Sequence, residues 1–592
     1  MQRARSLHRN DERLIIHFDY DCFYASVVEN ENPALKSVPL AIQQKQIVVT
    51  CNYEARRRGL RKLQLITEAK KVCPEVVIVL GEDLTRFRDA SKALYNFLRE
   101  SIWSGRAERL GFDEVWLDCT DMVNYNMGLL NRHDLAHSFF CLSKDDPTVG
   151  FEYDASSVFG PTYPPNGTLQ LSEQDEELRL RLVLGSHLAR HLRHELESRT
   201  GYTATVGVAT NKLLSKLVGN VNKPTNQTTV MPPYLPVGSP EATVTRFLDG
   251  HEIGKLPGIG FKLAHKIRGH VLGSDAAFRE GLVYGETKES VSVLDVRSYP
   301  GMGPELLEEI LSATGSPKGI GGKVWELIHG VDDTEVGKAK RVPSQISQED
   351  SYVKYLRTFD EVKKQLQLLG ERLIRRMQMD LLEDEDGGED GQGMDPRRRW
   401  MAHPRTLRLS TRPRPPPGPD GMRARGFNRI SRSAPMPNYV FSLHEPPSTL
   451  ANRLVEEALV PMFRKLHHEK AGWNLSLINI AATNMAETAA DSKDSAGRDI
   501  GRMFRRQDEV LKDFRITVEP DVVDNHSTCA TEGVVEKSPE QVLSEANDEV
   551  LVADGWDTEE SDREAWERCE FCQSIIPAYA FSAHRRFHEL GN

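Results

Sequence analysis

The sequence has no apolar run near the roughly 20 residues needed to cross a bilayer, which excludes an ordinary membrane-spanning helix. Cysteine is scarce, with eight in 592 residues, scattered apart from the pair Cys569 and Cys572. That argues for reduced thiols and a metal site at the pair rather than a disulfide framework, which suits the nucleus or cytosol. The basic start, MQRARSLHRNDER, lacks the apolar centre of a secretion signal, so export is not expected. A surplus of positive charge is also missing: the net charge of −11 has the wrong sign for holding a polyanion. That total misleads, because acid is concentrated in Glu383–Asp390 and across Glu519–Glu567. Outside those stretches long segments are neutral or basic, including Arg397, Arg398 and Arg399 and the arginines from Arg405 to Arg432. The chain is too long for one core, and about three to five units are expected.

What is present begins with LIIHFDYDCFYASVV at Leu14, an apolar run that ends in acids and passes into an amphipathic stretch with Ala25, Val27 and Val28. It reads as a buried strand leading into a helix. QIVVTCNY (46–53) is a second strand, followed by the basic helix start EARRRGLRK, and VVIVLGED (76–83) is a third. AERLGFDEVWLDCTDM (107–122) carries charge inside a fourth strand-like pattern. Residues 124–173 are polar and rich in Tyr, Pro, Ser and Gly, and read as an insertion or long loop. A helix (178–197), a strand (203–210) and a helix from Asn211 follow, and a different unit begins near Pro240. After Lys340 come a strand (343–347), a helix (359–380), an acidic break (383–394), strands near 404–411 and 425–433, a helix (449–468) and a strand (472–484). That order, βαββαβ, is the split βαβ arrangement, so the chain is expected to be α+β and multidomain.

Asp19 and Asp21 share one face of the first strand, whereas Asp113 and Glu114 point to opposite sides unless the backbone bends. Carboxylates at a sheet end are costly unless a cation neutralises them, and two Mg²⁺ ions would use such a cluster. Taken singly, each acid reads more readily as a helix cap or a surface charge than as a metal ligand.

FDYDCFYASV (18–27), TCNYEARRRG (50–59), GFDEVWLD (111–118) and GVATNKLLSKLVGNVNKP (207–224) resemble, in order, the motifs of the Y-family DNA polymerases. That resemblance implies error-prone translesion synthesis on primer-template DNA with dNTP, and a right-hand fold. Its parts would be palm at 13–35, fingers at 36–98, second palm segment at 99–236 and thumb at 237–330. A linker (331–342), a little-finger domain (343–486), a disordered acidic tail (487–565) and a small zinc finger (566–590) would complete it.

The resemblance implies that Asp19, Asp113, Glu114 and the Tyr20 carbonyl hold Mg²⁺ or Mn²⁺, with Asp19, Asp113 and Glu114 catalytic. Asp21 would be structural. Tyr24 would be a steric gate against a 2′-hydroxyl, though a core aromatic fits its pattern too. Tyr53, Arg56 and Lys223 would clamp the triphosphate, because a guanidinium and an ammonium offset phosphate charge. Arg57, Arg58 and Arg61 read equally as solvated helix charges. The loop AIQQKQIVVTCNYEAR and the segments GEDLTRFR and RLGFDE most resemble the iota branch of that family. Gln44 and Ile47 would then lie over the templating base, with a solvent-facing loop glutamine as the plain alternative for Gln44.

LPGIGFKLA (256–264) resembles a helix-hairpin-helix turn, in which Gly258 and Gly260 permit a bend and, with Lys262, meet a DNA phosphate. In RTLRLSTRPR, Arg408, Arg412 and Arg414 share the parity of a one-sided basic strand that would contact DNA, and Arg405 does not. Cys569, Cys572, His584 and His588 stand at C-x₂-C-x₁₁-H-x₃-H spacing, which fits a structural Zn²⁺. Such a finger could bind DNA, or resemble those that bind ubiquitin, although Arg586 replaces the acidic residue expected before the last histidine. Ile500, Met503 and Phe504 have the spacing of a sliding-clamp peptide, but Gly497 stands where Gln is expected, and a chance amphipathic turn has the same pattern. The expected partners are therefore primer-template DNA and dNTP, with a sliding clamp and ubiquitin left open by those departures, and no membrane; the expected location is the nucleus.

Overall fold

A computed structural model of the chain describes residues 7–165, 171–274, 276, 287–312, 318–340, 342–384, 398–413, 429–469, 473–488, 566–568 and 575–577. It contains two compact units, one built on Met1–Ala339 and the other within Lys340–Ala553. Among the described residues no helix is long and apolar enough to cross a membrane.

The first unit opens with β1 (Ile15–Tyr20), whose alternate residues Ile16, Phe18 and Tyr20 enter the main core, and with α1 (Phe23–Glu31). A small separate sheet follows, from β2 (Leu40–Gln44), β3 (Ile47–Cys51) and, after α2 (Tyr53–Arg57) and α3 (Ile66–Val72), β4 (Val77–Leu80). Its order is β3-β2-β4, over a core of its own that includes Ala41, Val48, Ala55 and Ala69. Asn52 starts α2 by accepting the Ala55 N–H, which satisfies a donor that the first turn leaves open. α4 (Thr85–Glu100) then returns to the main core through Phe87, Leu94 and Leu98. Burial of a side chain such as Phe87 contributes about 1.5–3 kcal/mol.

The pattern read as one strand at 107–122 is a hairpin, β5 (Ala107–Leu110) and β6 (Glu114–Asp118), turned at Gly111 with φ +67°. The segment read as a loop is also more ordered than expected. α5 (Thr120–Leu129) leads to a hairpin of β7 (Ser138–Cys141) and β8 (Gly150–Tyr153), and β9 (Thr162–Tyr163) joins the main sheet. Its aromatics are the reason: the Phe140 and Phe151 rings stack at 5.2 Å, and Phe151 stacks on His191 at 4.5 Å. His191 belongs to α6 (Glu173–Thr200), which Ser172 caps at one end and Gly201 closes at φ +75°. β10 (Ala204–Ala209), α7 (Lys212–Val218) and β11 (Gln227–Val230) complete the sheet, in the order β5-β6-β1-β10-β11-β9.

Among the described residues five helices follow: α8 (Thr243–Asp249), α9 (Phe261–Leu272), α10 (Val293–Ser298), α11 (Pro304–Leu311) and α12 (Ile320–Ile328). Leu248, Ile267, Leu307 and Val324 share the core of the sheet. The segment read as a linker is fastened back where it leaves α12. Glu108 accepts the Gly337 N–H at 2.8 Å, Ala339 donates to Gly105 at 3.0 Å, and Val336 packs on Ile15 and Trp116.

The second unit follows the expected order. β12 (Gln345–Leu356) and α13 (Phe359–Leu381) lead through the short pair β13 (Leu382–Asp384) and β14 (Arg398–Trp400) to β15 (Ala402–Pro413) and β16 (Ile430–Pro435). α14 (Pro447–Leu454), a π turn (Val455–Leu459) and α15 (Val460–Leu466) precede β17 (Leu475–Glu487). The sheet is β12-β17-β15-β16 with antiparallel neighbours, so β17 splits the β12-α13-β15 crossover. Leu407 and Leu409 of β15 are buried under the helices, while Arg408 and Arg412 alternate with them on the other face.

Candidate active site

Asp19 pairs with Glu114 in the antiparallel register of β1 and β6, and His17 pairs with Trp116. These four share the face opposite the core residues Phe18 and Val115. Asp113 lies in the turn just before β6, where its carbonyl accepts the Tyr20 N–H at 2.8 Å. The bend that adjacent acids would need is therefore present, at the break between the two strands.

Two lysines neutralise these carboxylates. Lys223 Nζ donates to Asp19, and Lys216 Nζ donates to Glu114 Oε2 at 2.7 Å. Burial raises the Asp19 pKa, Lys223 opposes the rise, and Glu114 adds to it. The Asp113 carboxyl is pushed up to about 7, first by desolvation and then by the Asp19 and Glu114 carboxylates. Its surface is nevertheless exposed, so the like charge of its two neighbours is the firmer cause. Among the described residues no three His, Cys, Asp or Glu side chains form a ready-made metal cage. The carboxylates are set instead against lysines. The donor set is still one for hard divalent cations: crowded carboxylate oxygens with raised pKa values.

Asp21 does not share the cluster. It is buried and accepts from Thr205 Oγ1 at 2.8 Å and from the Thr225 N–H at 2.9 Å, which fixes the loop carrying Lys223. Tyr24 stacks on Phe87 at 4.2 Å, with Phe112 at 6.1 Å. Tyr53 opens α2, and the Arg56 guanidinium lies 4.7 Å above its ring while Nε donates to the Cys51 carbonyl at 3.2 Å. Gln44 and Ile47 face each other across the β2–β3 turn, and the Gln44 amide donates to the Gly81 carbonyl at 2.7 Å. That bond takes one of the groups that a solvent-facing glutamine would leave to water.

Gly258 has φ +89°, and a Cβ there would lie 2.9 Å from Leu327 Cδ1. Gly260 differs from expectation: its φ of −68° suits any residue, and its place is the N-cap of α9, in whose first turn Lys262 lies. Arg408 donates to Gln345 at 3.1 Å and Arg412 to Ser476 at 3.2 Å, both within the open face of the second sheet. Arg414, the possible clamp residues Ile500, Met503 and Phe504, and the zinc candidates Cys569, Cys572, His584 and His588 lie outside the described residues.

Sequence reasoning missed Lys216 and His17. His17 is fully buried 3.8 Å from Glu114, and its pKa is lowered well below normal by burial and then by Lys216 and Lys223. The available signal was NKLLSKL, which puts Lys212 and Lys216 on one helical face.

The impB/mucB/samB family profile matches residues 18–220, and the profile of that family's C-terminal domain matches 343–495. Human DNA polymerase iota is 30% identical over 473 residues, 80% of this chain and 52% of that protein. The mouse DNA polymerase iota is 31% identical over 484 residues, 82% of this chain and 55% of that protein. DNA polymerase iota of Drosophila melanogaster is 42% identical over 223 residues, 38% of this chain and 27% of that protein. The chain spans about half the length of the two mammalian relatives. With two profiles of one family matching in order over more than half of its residues, the chain belongs to the impB/mucB/samB family, the Y-family of DNA polymerases.

Proposed function

We propose that this chain is a DNA-directed DNA polymerase that extends a primer past damaged template bases. The observation that carries the reading is the register of Asp19 opposite Glu114, with Asp113 in the adjoining turn. Asp19, Asp113, Glu114 and the Tyr20 carbonyl would hold Mg²⁺ or Mn²⁺. Two such ions lower the pKa of an attacking primer hydroxyl and stabilise a pyrophosphate leaving group.

The chain's own residues supply the rest. Lys223 binds the triphosphate by exchanging its carboxylate partner for phosphate oxygens, and Asp21 keeps its loop in place. Arg56 is oriented by the Tyr53 ring and the Cys51 carbonyl, and it offsets charge on the same phosphates. The Tyr24 ring, backed by Phe87, excludes a 2′-hydroxyl. Gly258, Gly260 and Lys262 would grip phosphates of the duplex, as would Arg408 and Arg412 on their own sheet. Primer extension, lost on Asp113→Ala with Glu114→Ala, tests the assignment.

An iota-like template preference is the finer reading, with Gln44 and Ile47 shaping the space over the templating base. It is supported by the 30% and 31% identities to polymerases of that name. Nucleotide choice opposite template T and template A tests it, since equal accuracy opposite both would contradict it. The expected workplace is the nucleus. A Zn²⁺ on Cys569, Cys572, His584 and His588 predicts one zinc per chain by elemental analysis, lost on Cys569→Ser with Cys572→Ser. Binding of a sliding clamp through Ile500, Met503 and Phe504, and of ubiquitin by the zinc-bearing segment, is tested by titration with each purified partner.

A further inference from the structure

Glu114 takes its countercharge from a helix that none of the proposed nucleotide contacts uses. That helix, α7, is mounted rigidly. It lies so close on β10 that a Cβ at Gly207 would come 1.9 Å from the Ser215 carbonyl oxygen. Asn211 caps it through the Leu214 N–H, Trp116 Nε1 donates to the Lys212 carbonyl at 3.1 Å, and Lys212 Nζ is 2.6 Å from Glu108. One turn further on, Lys216 Nζ reaches Glu114 Oε2 at 2.7 Å, with the two side chains 20% and 16% exposed. The Trp116 ring lies 5.5 Å from the same ammonium.

The two lysines of the site therefore differ in kind. Lys223 is carried on a loop after α7 and can leave Asp19 for an incoming triphosphate, whereas Lys216 projects from a helix packed on the sheet and lies between Glu114 and the Trp116 ring. We propose that Lys216 is a positioning residue for Glu114. It holds Oε2, leaves Oε1 to a divalent cation, and by its fixed charge keeps cation binding weak until nucleotide and primer add negative charge of their own. This rests on the reading of Asp19, Asp113 and Glu114 as metal-binding carboxylates. A partly screened unit charge a few ångströms from a bound cation is expected to weaken binding about tenfold.

The test is Mn²⁺ binding to the full chain without DNA or nucleotide, followed by electron paramagnetic resonance of the free ion. Lys216→Met is expected to bind Mn²⁺ about tenfold more tightly than wild type. Lys216→Arg, which keeps the charge and whose planar fork can take both Glu114 oxygens, should bind Mn²⁺ no more tightly than wild type. Adding dNTP should raise the affinity of wild type more than that of Lys216→Met. Unchanged or weaker Mn²⁺ binding by Lys216→Met overturns the proposal, and Lys216→Gln provides the same comparison if the methionine variant does not fold. Asp113→Ala separates the two claims: retention of the Mn²⁺ site in that variant would overturn the metal reading itself. Its loss, together with unchanged binding by Lys216→Met, would overturn the role of Lys216 alone.

Discussion

Asp19 lies directly opposite Glu114 in the pairing of β1 with β6, and the next residue, Tyr20, ties Asp113 to the same strand through its N–H. Backbone register, rather than any side-chain rotamer, thus brings the three acids to one end of the sheet. That makes the site depend on elements that touch no substrate.

Asp21 is the first of these. Its carboxylate receives the buried Thr205 hydroxyl and the part-buried Thr225 N–H, so Asp21→Ala leaves the Thr205 hydroxyl buried without that acceptor, at a cost of about 1–3 kcal/mol. Because Thr225 follows Lys223 closely, the KM for nucleotide should rise more than kcat falls. Urea denaturation and steady-state kinetics check both parts. A stability loss with KM unchanged would detach Asp21 from the nucleotide loop.

Gly207 is the second. A methyl group there meets the Ser215 carbonyl oxygen and the Gly219 nitrogen, so Gly207→Ala must push α7 off the sheet and is expected to cost at least about 3 kcal/mol. Gly128 in α5 has no heavy atom within 4 Å of its would-be Cβ, and Gly128→Ala should be neutral or slightly stabilising. Thermal unfolding of the two variants gives the contrast directly.

The second unit carries a pH dependence of its own. His467 is buried beside Thr411, with 2.9 Å between Nε2 and the hydroxyl, and desolvation lowers its pKa from the usual 6.5. A folded-state pKa below the unfolded one means that the unfolded chain takes up the proton first. The stability His467 allows is therefore whole above about pH 6.5 and falls as the pH drops from there towards the folded-state value. The urea midpoint should decline between about pH 7.5 and 5.5, and decline less in His467→Gln. Equal declines would assign the effect to other groups.

Much of this was legible in the sequence because it is local. The run from Leu14 to Tyr20 announced β1, and the order of elements after Lys340 announced the second unit, since alternation and helical periodicity are properties of neighbours in the chain. Tyr53 and Arg56 are named by the resemblance of TCNYEARRRG to a family motif, and both lie on one short helix. What escaped was set by distant pairing. The hairpin at Ser138–Tyr153 is held by Phe140, Phe151 and an α6 histidine, and its polar surroundings hid it. Lys216 looked like any solvated helix lysine until β6 brought Glu114 to it from 102 residues away. The unpaired look of Asp113 beside Glu114 was resolved only by the turn at Gly111, which alternation along a single strand cannot express.

Whether Asp19, Asp113 and Glu114 drive nucleotidyl transfer is read from single-turnover primer extension with Mg²⁺ on an undamaged template, comparing wild type with Asp113→Ala/Glu114→Ala at saturating DNA and dNTP. Loss of the preorganised carboxylates should lower the rate by roughly a thousandfold or more while the folded state, followed by circular dichroism, is retained. Extension at the wild-type rate by a correctly folded double variant would contradict the account.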